Sequence, residues 1–128
     1  MKKAILIWTL LIMLFVGCSP TYEENIGYKK STINENFPIP DKVELVNADF
    51  DNPNIKKGVK YLLNNIGGTQ GLYPPKRYFQ EIEKWGWEEL TDKQMGHVHF
   101  FKQGEAVISV VVKEDHFEVY EMKDDSNF

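Results

Sequence analysis

The chain has 128 residues, enough for one small domain, and a formal net charge of −4. An acidic chain of this kind disfavours nucleic-acid binding, which needs basic surfaces that neutralise phosphates. Its only cysteine is Cys18, so no disulfide can form within the chain. The domain must therefore depend on packing for its stability.

Residues 1–17 have the layout of a secretory signal peptide. Two lysines follow the first methionine, residues 4–16 are apolar apart from one threonine, and the small residue Gly17 precedes Cys18. A bilayer-spanning helix needs about 20 apolar residues, so this stretch is short for a permanent span. We expect export and cleavage; the alternatives are an uncleaved N-terminal anchor and an ordinary secreted protein with a chance cysteine.

The residues around Cys18 resemble the lipobox of bacterial lipoproteins. The run Leu-Phe-Val-Gly-Cys ends at Cys18, with Phe15 where this class usually has leucine. The resemblance covers residues 1–18 only. It implies cleavage between Gly17 and Cys18 and a diacylglycerol on the cysteine thiol, which would hold the protein at the extracytoplasmic face of a cell membrane. Two acyl chains give stable anchoring where one does not. No other cofactor is expected.

The mature chain is expected to divide into three parts. Residues 18–36 are polar and show no periodic pattern, so they are predicted to form a flexible tether between the lipid and the domain. A docking peptide that uses Tyr22 and Tyr28 is the alternative. Residues 37–123 are predicted to form a single domain, and residues 124–128 a C-terminal tail.

Two strands are predicted in the first half of the domain. Residues 42–50 contain alternating apolar side chains, and residues 58–66 do the same. The sequence Asp-Asn-Pro-Asn at residues 51–54 is a dense turn signal between them. A short helix over residues 58–66 is the alternative for the second segment.

One amphipathic helix is predicted after Pro75. Proline suits the first helical turn, where its missing N–H is not needed. Gly86 is placed to end the helix. The side chains that share the apolar face are Tyr78, Phe79, Ile82 and Trp85.

Three further strands are predicted at residues 97–102, 106–113 and 117–122, joined by short turns. Short connections favour an antiparallel meander, and the valine-rich stretch from 107 to 112 indicates a central strand. The predicted fold class is therefore α+β, with one small antiparallel sheet of element order β-β-α-β-β-β and the helix packed on one face.

The irregular loop from Gly67 to Pro75 is the first candidate for ligand binding, because binding residues often lie on loops held by a rigid scaffold. Its glycines and prolines could equally serve to end a strand and begin a helix. The candidate binding residues are Gly67, Gly68, Gly71, Tyr73, Arg77 and Tyr78.

His97 and His99 are the second candidate, since residues two apart on a strand point to the same face. With His116 or Asp115 as a third ligand they could hold a metal. A zinc site needs three or four ligands in fixed geometry, and the only thiol is at Cys18. No metal site is therefore predicted, and these histidines are kept as weak candidates.

No catalytic residue is predicted. Ser109 lies inside the most apolar strand, a poor place for a nucleophile that needs a histidine beside it. We expect a membrane-anchored, non-catalytic interaction domain with an envelope protein as partner. The alternatives are a lipoprotein that binds a small ligand or a metal, through the Gly67–Tyr78 loop or through His97 and His99, and a small envelope enzyme.

Overall fold

The computed structural model describes residues 20–124. The predicted signal peptide, the predicted cleavage site between Gly17 and Cys18 and the predicted lipidation of Cys18 lie outside this range, as does the predicted tail beyond Asp124. No helix within residues 20–124 is long and apolar enough to cross a bilayer. The elements are β1 (Tyr28–Lys30), β2 (Pro38–Pro40), β3 (Glu44–Asn47), β4 (Ile55–Leu62), α1 (Lys76–Lys84), β5 (Glu88–Glu89), β6 (Val98–Gln103), β7 (Ala106–Val112) and β8 (His116–Met122).

The strands form two antiparallel sheets. Six of them lie side by side in the order β3-β4-β8-β7-β6-β5, and β1 pairs with β2 in a separate two-stranded sheet. The α+β class is confirmed, and so is the meander of β6, β7 and β8. The prediction of one small sheet is wrong, since the structure has two sheets. The sequence did not reveal β1, β2 and β5 because they have only two or three residues each, too few to give a periodic signal.

The domain has two layers. The six-stranded sheet forms one layer, and α1 together with the β1–β2 pair covers one of its faces. Tyr78 of α1 lies between Phe117 of β8, at 5.6 Å between ring centroids, and Pro38 of β2, whose carbonyl accepts a 2.9 Å hydrogen bond from the Tyr78 hydroxyl. Tyr78 thus joins the helix to both sheets.

The helix packs on the core through the apolar face that the sequence predicts. Tyr78 and Ile82 are fully buried, with Phe79 and Trp85 packed partly against the same core. The amide of Gln103 donates a 2.9 Å hydrogen bond to the carbonyl of Trp85. This bond satisfies one of the carbonyls that a helix leaves unpaired at its C-terminus.

Residues 20–36, the described part of the segment predicted as a flexible tether, are folded against the domain. Ile26 and Ile33 are buried in the core, and β1 pairs with β2. The backbone of Tyr22 donates to Asn64, and Asn64 donates to Pro20, both at 2.8 Å. The segment is polar on average, but it contains isolated apolar residues whose side chains are buried in the core. Their spacing is too wide to indicate a helix or a strand in the sequence.

Substitution of Ile33 tests whether this segment contributes to the core. We expect Ile33→Ala to lower the free energy of unfolding by about 2–4 kcal/mol, because it removes buried methyl groups and leaves a cavity. Glu35→Ala, two residues away and exposed, should change it by less than about 0.5 kcal/mol. Urea denaturation measures both. Equal effects from the two variants would show that this segment does not belong to the core.

Candidate functional site

A cleft of about 340 Å³ opens where the loop after β4 meets the start of α1. This volume is within the range of small-molecule sites in proteins. The cleft has three walls: the chain just after Pro20, the loop itself and the first turn of the helix. Its lining residues are Tyr22, Glu24, Asn65, Ile66, Gly68, Tyr73, Pro74, Pro75, Lys76 and Arg77.

Backbone hydrogen bonds fix the shape of the loop wall. The N–H of Tyr73 donates to Gly67 at 2.8 Å, and the N–H of Gln70 donates to the carboxylate of Glu114 at 2.8 Å. At Gly67, a Cβ would collide with the backbone carbonyl of Lys113. The loop therefore lies directly against the β7–β8 turn, and we interpret it as a rigid wall of the cleft.

The helix wall is basic. Pro75 occupies the N-cap position and supplies no side-chain cap, and the first turn contains no acidic residue. Lys76 and Arg77 are exposed there, and the Arg77 Nε atom lies 3.6 Å from Glu24 Oε2. An exposed pair of this kind contributes little to stability. Arg77 therefore remains able to exchange Glu24 for an anionic group of a ligand.

Three tyrosines are grouped at the cleft, one in its wall and two outside its lining. Tyr28 stacks on Tyr78 with 5.9 Å between ring centroids, and Tyr22 forms part of the cleft wall. Burial raises the pKa of Tyr22, and it raises that of Tyr28 with a further contribution from the neighbouring Tyr22. The pKa of Tyr78 is raised well above its usual value by complete burial. All three phenols are therefore neutral at physiological pH.

The Tyr28 hydroxyl is a buried side-chain oxygen without a well-formed hydrogen bond among residues 20–124, and the Tyr22 hydroxyl is the polar neighbour that interacts with it. We expect Tyr28→Phe to leave stability unchanged or to raise it by up to about 1 kcal/mol, because the change removes a poorly satisfied polar atom. Tyr78→Phe should instead cost about 1–3 kcal/mol, since the Pro38 carbonyl loses its donor. Thermal unfolding of both variants compares them. Marked destabilisation by Tyr28→Phe would reveal a partner for this hydroxyl.

A second cleft of about 290 Å³ lies next to the first, and Pro74 lines both. His97 and His99 line this second cleft, as their spacing predicted. His99 is buried, with its ring 4.7 Å from that of Phe79 and its Nδ1 atom 3.2 Å from Glu89 Oε1. His99 therefore has structural partners on α1 and on β5.

His116 does not join these two histidines. It alternates with Phe117 on β8, so it lies on the sheet face away from the helix. There its Nδ1 atom is 3.0 Å from Asp115 Oδ1, and this hydrogen bond lowers the pKa of the Asp115 carboxyl. Among the described residues, no group of three or more His, Cys, Asp or Glu side chains is placed to hold a metal.

The structure divides the predicted loop residues into two groups. Gly68, Tyr73 and Arg77 line the first cleft. Gly67 and Gly71 are buried residues of the loop itself, with Gly71 lining the second cleft, and Tyr78 belongs to the core. The prediction that Tyr78 binds a ligand is therefore wrong. Its position on the apolar face of α1 already indicated that its side chain is buried.

Sequence reasoning did not assign Glu24 and Asn65 to this cleft, and it gave Tyr22 only a minor alternative role. The missing information was the pairing of Thr21 with Asn64, a contact across more than forty residues of chain. One local signal was available in the sequence, the pair of adjacent asparagines that ends at Asn65. Asparagine adopts a positive φ more readily than most residues, and Asn65 does so in the structure, with a φ of 64°.

No family model matches this chain, and comparison with curated proteins and with solved structures gives no significant match. The candidate site therefore stands on its own geometry and on the sequence.

Proposed function

We propose that the protein is a lipoprotein, held by a diacylglycerol on Cys18 at the extracytoplasmic face of a cell membrane, with a non-catalytic domain that binds an envelope component. The signal-like residues 1–17 and the lipobox-like run that ends at Cys18 support the anchor. The binding role has separate support, from the cleft beside α1.

The observation that carries the binding role is the composition of the cleft wall. Tyr73 is two-thirds exposed and lies on a loop that backbone hydrogen bonds hold in place. It lines the same cleft as the cationic side chains of Lys76 and Arg77 in the first turn of α1. Exposed aromatic and arginine side chains are enriched where proteins bind partners. A rigid wall lowers the entropic cost of ordering such residues on binding.

Site-specific photocross-linking in intact cells tests this role. A photoreactive amino acid in place of Tyr73 should give discrete cross-linked products. Arg77→Glu in the same chain should reduce them several-fold, since it reverses a charge on the cleft wall. The matched control is the same photoreactive residue at Glu105, which is exposed in the β6–β7 turn. Identical products at both positions would contradict a specific site in the cleft.

Binding of a small ligand or a metal is the second candidate, favoured by the common cleft of His97 and His99. Thermal unfolding with and without divalent metals tests its metal version. A metal that binds only the folded state raises the unfolding midpoint. Unchanged midpoints with zinc, nickel and copper would remove the histidine pair from consideration.

A further inference from the structure

Three of the five exposed large apolar side chains among residues 20–124 lie at the cleft end of the domain, and the other two, Leu45 and Phe50, lie on β3 and just after it. Among residues 20–124, the three most exposed large apolar side chains are Met95, Leu72 and Tyr73, at 66%, 63% and 67%. Leu72 lines the second cleft together with the two neighbours of Met95, and Tyr73 lines the first. We call these three residues the apolar tip. Apolar groups that cluster in this way on a surface mark an interaction site.

The chain enters the domain at this same end. Pro20 and Tyr22 are bound to Asn64, and Tyr22 shares the first cleft with Tyr73. Cys18 precedes Pro20 by two residues, so their Cα atoms are at most about 7 Å apart. A lipid on Cys18 would therefore draw this end of the domain down to the headgroups, instead of leaving it free on a long tether.

The chemistry of this end suits a bilayer surface. Tyrosine is enriched at membrane interfaces, where its ring lies among the headgroups. The lining of the first cleft contains Lys76 and Arg77 against the single acid Glu24, a positive balance in a chain whose net charge is negative. Basic side chains next to apolar ones complement the phosphate groups of phospholipids.

We propose that the apolar tip contacts the phospholipid bilayer that holds the anchor, with Leu72 and Met95 entering the interfacial region and Tyr73 at the level of the headgroups. This inference rests on the proposed lipid anchor at Cys18, and it specifies the envelope component that the cleft end of the domain meets first. The domain then has one fixed orientation, with the β6–β7 turn pointing away from the membrane.

The full lipidated protein, reconstituted in phospholipid vesicles, tests this orientation. Acylation of Cys18 would leave the mature chain without a free thiol, so a single new cysteine gives a single labelling site. Spin labels at Leu72→Cys and Met95→Cys should relax several-fold more with oxygen, which concentrates in lipid, than with a water-soluble nickel complex. Glu105→Cys, at the other end of β7 and about 20 Å away, should show the reverse.

The outcomes separate the two proposals. Labels at 72 and 95 that are as accessible to water as the label at 105, on protein that remains bound to vesicles, would overturn the bilayer contact and leave the anchor intact. Spin–spin broadening at 72 that persists in detergent would identify a second copy of the chain as the occupant, which also overturns it. A second label on a free thiol at Cys18 would refute the anchor itself.

Discussion

Replacing Cys18 by alanine is expected to abolish fatty-acid labelling of the protein in growing cells and to leave residues 1–17 on the chain. Both effects follow if the thiol accepts the diacylglycerol before the signal is cut. With each buried CH₂ contributing about 0.8 kcal/mol, two acyl chains hold the mature protein in membranes against dilution. On this proposal, the anchor depends on the single sulfur atom of Cys18.

Intact-mass measurement and labelling with an alkyne-bearing fatty acid check this prediction together. The wild-type product should lack residues 1–17 and carry the mass of the lipid. Ser19→Ala, which changes the neighbouring residue and leaves the thiol in place, is the matched control and should be labelled normally. Wild-type protein that begins at Met1, or a label that survives in Cys18→Ala, would refute the lipoprotein assignment.

Stability should fall steeply as the pH rises above 10. The pKa values of Tyr22, Tyr28, Tyr61, Tyr78 and Tyr120 are all raised in the folded protein, with burial as the largest cause. An unfolded tyrosine loses its proton near pH 10, whereas a buried one keeps it. The stabilisation is therefore complete below pH 10 and is lost as the pH rises toward the folded-state values.

Tyr78 is the best single probe of this loss, because it is completely buried. While only the unfolded state is ionised, each such tyrosine contributes a slope of about 1.4 kcal/mol per pH unit. Tyr78→Phe should reduce the alkaline slope by about one proton. Ile82→Val, one turn further along α1 and equally buried, should lower stability at every pH without changing the slope. Denaturant titrations from neutral to strongly alkaline pH measure both, and equal slopes in Tyr78→Phe and wild type would contradict the prediction.

Long elements with a regular pattern could be predicted from the sequence. The valine-rich stretch of β7 and the apolar face of α1 each carry enough periodic residues to define an element without tertiary information. The β1–β2 pair could not be predicted in this way. Its strands have three residues each, and two of the three in β2 are prolines, so the pairing becomes visible only in the three-dimensional structure.

The part of the candidate site formed by neighbouring residues could be predicted from the sequence, but the part formed by contacts between distant residues could not. The irregular loop identified Gly68, Tyr73 and Arg77, because a local cluster of glycine and proline is visible in sequence. The opposite wall, with Tyr22 and Glu24, comes from a polar segment whose position depends on contacts with distant residues. Such contacts leave no periodic trace in a single sequence.

The junction between Thr21 and Asn64 has a mechanical consequence. If lipid holds the N-terminus while a bound partner moves away, the pulling force enters the domain through two backbone hydrogen bonds, from Tyr22 to Asn64 and from Asn64 to Pro20. Behind them, the backbone pairing consists of two three-residue strands, supported by the buried side chains of Ile26 and Ile33, whereas β4 alone is eight residues long. Under tension, residues 20–40 should therefore peel away first and expose Phe37 and its aromatic neighbours, while the six-stranded sheet still holds.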